Sequence, residues 1–184
     1  MKNKISQHIS IARHIVDGSI AIDSIKEFRS ILRIFPNDPA LHRVYADLLA
    51  RKNSISAAMA SYRKAAILYI ESGMMLQAVV CKILEWRLEA PTRLKARRFY
   101  QVLNGGKYHE TPLNVFFNRL LFPEFAALVT QMKRVQVTAG KMIIKIAEQE
   151  KFLYLNSQLT WILPYGYIYY PCQFSLLLCL LHLT

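Results

Sequence analysis

The sequence predicts a mainly α-helical chain followed by a short antiparallel β segment. Three observations carry this. Apolar residues recur at three- and four-residue spacing from residue 3 to residue 103. Turn residues cut that pattern into short pieces, at Pro36-Asn37-Asp38-Pro39, Asn53-Ser54, Ser72-Gly73, Ala90-Pro91 and Asn104-Gly105-Gly106. Near residue 135 the apolar period falls to two, the period of a strand.

Each element follows from its residues. Ile25, Phe28, Ile31 and Leu32, with Lys26, Arg29 and Arg33 between them, predict a helix after Asp23. Asp38 before Pro39 is an N-cap followed by a proline at the first helical position, and Leu41, Val44, Tyr45, Leu48 and Leu49 form the stripe of the next helix. Ala57, Ala58, Tyr62, Ala65, Ala66 and Tyr69 mark a third, and Leu76, Val79, Val80, Ile83 and Leu84 a fourth. Residues 92–103 make a basic helix. Thr111-Pro112 and Pro123-Glu124 each open a short helix. Val135 and Val137 then alternate with Gln136 and Thr138. Ala139-Gly140 reads as a turn, Met142, Ile144 and Ile146 as a second strand, and 152–155 as a third.

A shift of 34 residues superposes Ile11-Ala12 and Ile15 on Tyr45-Ala46 and Leu49, and Phe28 on Tyr62; a further shift reaches Val79-Val80 and Ile83. This resembles tetratricopeptide repeats, an α-solenoid of helical hairpins, with the best copy from Pro39 to about Ile70. The resemblance implies packing roles for Ala12, Ala46 and Ala58, whose small side chains let helices approach, and for Phe28 and Tyr62, which fill the gap between pairs. His8 and His42 stand where the family prefers tryptophan, Val80 is larger than the usual small residue, and Ile70 replaces the closing proline. An irregular helical bundle is the alternative. About two and a half repeats lie near the lower limit for a stable solenoid, so a further domain is expected to cap them.

Phe117, Leu121, Pro123-Glu124-Phe125, Leu128, Ala139-Gly140 and Leu153-Tyr154 resemble the start of a Crp-like cyclic-nucleotide-binding domain. The resemblance covers residues 114–158 and implies the opening of a β jelly roll in a bacterial regulatory, signal-transducing protein. An unrelated β-meander is the alternative. The family's later strands supply a glutamate for the ribose and an arginine for the phosphate, and neutral side chains replace such charge-assisted bonds poorly. No Asp, Glu, Lys or Arg follows Lys151, so the jelly roll is incomplete and binding of cAMP or cGMP is not expected. The expected organisation is 1–104 for the repeats, 105–158 for the nucleotide-domain-like module and 159–184 for an uncharged tail.

Composition frames these readings. The net charge is +12, yet 53% of the 184 residues are hydrophobic and the mean hydropathy is +0.17, which excludes wholesale disorder. The positive hydropathy owes much to the uncharged residues 152–184. Three readings of the tail stand open. It anchors the chain in a membrane, although Pro164, Gly166 and Pro171 leave an unbroken stretch shorter than the ~20 apolar residues of a spanning helix. It is the product of a truncated or frame-shifted reading frame, leaving open sheet edges. Or it packs on the helices. Cys81, Cys172 and Cys179 form no paired framework, which fits a reducing compartment, and residues 1–6 do not begin a signal peptide. A cytoplasmic location is expected, with membrane association through the tail as the alternative.

No catalytic or metal constellation emerges, so a non-enzymatic protein without a cofactor is expected. His8, His14, His42, His109 and His182 lack metal-ligand spacing, Gly105-Gly106 lacks a phosphate-loop frame, and Glu148 and Glu150 flank a turn. Residues 1–104 hold 17 Lys and Arg against 8 Asp and Glu. The leading expectation is therefore an interaction and regulatory module whose repeats hold an acidic peptide or helix, with Arg43, Arg51, Arg63 and Lys64 as candidate contacts on a concave face. The alternatives are a cyclic-nucleotide sensor and a basic surface, formed by Arg87, Arg93, Lys95, Arg97 and Arg98, that docks on nucleic acid or membrane.

Overall fold

The computed structural model describes residues 11–108, 112–137, 152–156 and 174–180. These residues are mainly helical. The chain divides into two compact units, Met1–Phe122 and Pro123–Thr184. The first unit includes α7 (Pro112–Arg119), which packs on α5 (Met75–Leu88). Phe117 of α7 is fully buried.

The first unit opens with α1, described over residues 11–17, and α2 (Ile25–Ile34). Ser24 caps α2, accepting a hydrogen bond from the Glu27 N–H at 3.3 Å. The helix α3 (Pro39–Arg51) begins at the expected cap: Asp38 Oδ1 accepts from the Leu41 N–H at 3.0 Å, and Pro39 occupies a position whose N–H would be orphaned. Next come α4 (Ile55–Glu71), α5 and α6 (Arg93–Asn104). Thr92 Oγ1 caps α6 by accepting from Lys95 N at 3.3 Å.

The turns after α3 and α4 close in the same way. Asn53 (φ 58°) and Gly73 (φ 71°) adopt the left-handed conformation. The N–H of Ser54 then reaches the Leu49 carbonyl at 2.8 Å, and that of Met74 reaches the Tyr69 carbonyl at 2.8 Å. Both satisfy carbonyls that a helix end otherwise orphans. These three-residue reversals fold α3 onto α4 and α4 onto α5.

Being packed on both sides, α4 buries residues around much of its circumference: Ala58, Ser61, Tyr62, Ala65, Ala66, Leu68 and Tyr69. Ala46 and Ala58 are fully buried, as the close approach of α3 and α4 requires. The structure places Ala12, Phe28, Ala46, Ala58 and Tyr62 in one apolar cluster with Leu41, Tyr45 and Leu48. The Phe28 and Tyr45 rings lie 5.3 Å apart within it. Polar groups knit the same interface. Tyr62 donates to Asp47 Oδ1 at 2.5 Å, Arg43 donates to Asp47 Oδ2 at 3.0 Å, and the Ser61 hydroxyl donates to the His42 carbonyl at 2.9 Å.

The second unit contains most of α8 (Phe122–Gln131), in which Phe125, Leu128 and Val129 are buried. It also holds a three-stranded antiparallel sheet of β1 (Met132–Val137), β2 (Phe152–Asn156) and β3 (Phe174–Leu180), in the order β1-β3-β2. Met132 faces Cys179 and Val137 faces Phe174 across one ladder; Phe152 faces Leu180 and Asn156 faces Leu176 across the other. The described part of the uncharged tail is thus the middle strand, not a helix. The expected turn at Ala139-Gly140 and the strand at 142–146 lie outside the described residues, as do 157–173 and 181–184. Among the described residues, no helix is long and apolar enough to cross a membrane.

Candidate functional site

Three helices of the first unit supply one groove. From α4 come Met59, Arg63, Ala66, Ile67 and Ile70; from α5 come Lys82, Glu85 and Trp86, with Glu89 at its C-cap; from α6 come Lys95, Arg98, Phe99 and Val102. Each set recurs at helical spacing, so each helix turns one stripe to the groove. Its volume is about 440 Å³, within the range of sites that hold small ligands or a few side chains. Ile67 and Val102, on two different walls, are 44% and 54% exposed, so much of their apolar surface meets water.

The groove carries a charge cluster. Glu85 projects from the buried face of α5, its side chain only 5% exposed. Its Oε1 accepts from Arg63 Nε at 3.2 Å and Nη2 at 2.7 Å, and its Oε2 accepts from Lys82 Nζ at 2.7 Å. A buried carboxylate is costly unless paired, and here two cations from two helices hold it. Lys82 Nζ also lies 5.3 Å from the centre of the Phe99 ring, whose edge-to-face neighbour is Trp86 at 5.7 Å. Glu89 pairs with Lys95 at 3.5 Å. Arg98 has no ion-pair partner among the described residues. Four cations therefore line the groove against two carboxylates.

This arrangement joins parts of two separate sequence expectations. Arg63, a candidate partner contact, meets Lys95 and Arg98 of the basic patch. The other candidates lie outside the lining. Arg43 is engaged with Asp47, and its side chain is 16% exposed. Arg51 lies 3.9 Å from Asp23, and Lys64 is exposed on α4. Arg87, Arg93 and Arg97 are exposed, and Arg97 sits 5.7 Å from the centre of the Phe122 ring. The groove is thus lined by α4, α5 and α6 together.

Lys82, Glu85, Trp86 and Glu89 did not figure among the candidates. Their signal was legible: they follow one another at i, i+3, i+4 and i+7, a charged and aromatic stripe along one helix and its C-cap. What hid them was the stronger apolar stripe of the same helix.

Burial pushes the Tyr69 phenol up to about 12, although Arg43 partly opposes it. Burial likewise raises Tyr108 to about 12, its hydroxyl buried with no hydrogen-bond partner. His42 Nε2 lies 2.9 Å from the Pro36 carbonyl, and His14 lies 3.7 Å from Asp17. His8, His109, His182, Glu148 and Glu150 lie outside the described residues. Among the described residues, no group of three His, Cys, Asp or Glu side chains is placed to hold a metal ion. Comparison with protein-family models, with curated proteins and with solved structures finds no match.

Proposed function

We propose that the first unit is a helical-repeat interaction module that holds a segment of a partner protein in the α4–α5–α6 groove. The observation that carries this reading is the combination, on one concavity, of water-exposed apolar walls and an excess of cations. Burying Ile67 and Val102 against a partner removes apolar area from water, and the charge excess favours an acidic segment. The repeat reading is supported by two hairpin-like reversals closed alike at Asn53 and Gly73, and by the burial of Ala46 and Ala58 between α3 and α4. The second unit enters the proposal as a Crp-like beginning without the charged groups of a nucleotide site. Two short helices preceding a strand support that kinship.

The test is selection of a displayed random peptide library on the full chain, followed by titration of the winners. Trp161→Phe leaves Trp86, in the groove wall, as the only tryptophan reporter. Peptides that shift Trp86 emission and lose binding to Val102→Glu, but not to Leu94→Glu on exposed α6 surface outside the groove, support the reading. Recovery of no peptide, or equal loss in both variants, overturns it.

A further inference from the structure

We propose that Glu85 sets the specificity of this groove for acidic segments, by fixing the Arg63 and Lys82 cations on its wall. The inference rests on the interaction-module reading and assigns a positioning role to a residue that carries the wrong charge for direct contact with such a partner. Arg and Lys side chains normally sample many rotamers, and ordering them on binding costs affinity. Here part of that ordering is made beforehand: both cations are held by one carboxylate that is itself 5% exposed. The cluster of two cations and one anion retains a net positive charge. Arg63 commits only its Nε and Nη2 to Glu85. Its side chain is 50% exposed, so further guanidinium donors stay available to a ligand carboxylate.

The rest of the lining describes the occupant. Along α6, Lys95, Arg98 and Val102 follow one another at one-turn spacing, ~5.4 Å per turn. Ile67 and Ile70 stand on the facing α4 wall. Cations adjoining apolar surface in this way match a peptide in which Asp or Glu residues stand beside apolar side chains. A nucleic acid would use the cations but leave Ile67 and Val102 in water.

The library-selected peptides provide the probe. Enrichment of Asp and Glu beside apolar residues is expected, with about tenfold weaker binding to Arg98→Glu. The decisive variant is Glu85→Gln. Removing a negative charge should tighten an acidic peptide if charge alone matters. A positioning role predicts the opposite, at least threefold weaker binding, measured below the lowered melting temperature that loss of a buried pair entails and with helix content retained. Lys82→Met, which leaves Glu85 held by Arg63, should weaken binding as well, and unaltered affinity overturns the proposal even if Glu85→Gln fails to fold. Groove-bound peptides that are neutral or basic, an acidic peptide tightened by Glu85→Gln, or affinity unaltered by Lys82→Met would each overturn the role of Glu85 while leaving the interaction module standing. Peptides indifferent to Val102→Glu, or a Trp86 shift produced by phosphatidylserine vesicles and by no peptide, overturn both.

Discussion

Tyr69 shows how burial turns an ordinary side chain into a stability term with a definite pH sign. Its phenol is raised to about 12 chiefly by desolvation, against about 10 in the unfolded chain. Between these values the folded protein keeps a proton that the unfolded chain releases. The stabilisation is therefore complete below pH 10 and is lost as pH rises through 12, at up to ~1.4 kcal/mol per pH unit. Denaturant titrations from pH 9 to 12 should show a shallower decline for Tyr69→Phe than for the parent. Ala58 makes the converse point about space. It is fully buried where α3 meets α4, and Ala58→Leu should cost ~1–3 kcal/mol through overpacking, read as a lowered urea midpoint. The helical pattern of residues 57–69 announces an apolar face. That the alanine faces another helix closely enough to exclude a larger side chain is a property of the pair.

At the scale of elements, helix ends were the most readable features because their chemistry is local. Asp38 caps α3 and Thr92 caps α6 through side-chain oxygens three residues from the amides they serve. Thr92→Ala should destabilise the first unit by ~1 kcal/mol, measurable by thermal melting. Gly73 closes α4 at φ 71°, and a Cβ there would also lie 3.4 Å from the Lys107 carbonyl. Gly73→Ala should therefore cost ~1–2 kcal/mol, whereas Asn53→Gly at the equivalent reversal should be neutral or slightly stabilising. The strand β3 was opaque for a related reason. Its seven residues are apolar apart from Ser175, and a continuous apolar run without alternation is equally compatible with a buried strand and a helical segment. Only its pairing on both edges distinguishes them.

Across the whole molecule, the uncharged tail acquires a structural duty in its described part. Since β3 lies between β1 and β2, deletion of residues 174–184 should remove both ladders, leave two unpaired strands, and raise the aggregation of the full-length background. Light scattering against the parent chain measures this. By itself, the sequence determined the mainly helical character, the caps and turns, the burial pattern of α3 and α4, and the basic excess of the first 104 residues. These depend on neighbours within one or two helical turns, where periodicity and local hydrogen bonding suffice. The tertiary structure alone decided that Arg63 and Glu85, 22 residues apart, form one cluster with Lys82, and that Lys95 and Arg98 line the same groove. It also decided that residues 174–180 join strands beginning at 132 and 152. Such pairings depend on which faces of separate elements meet, and no local period in a single chain encodes that meeting.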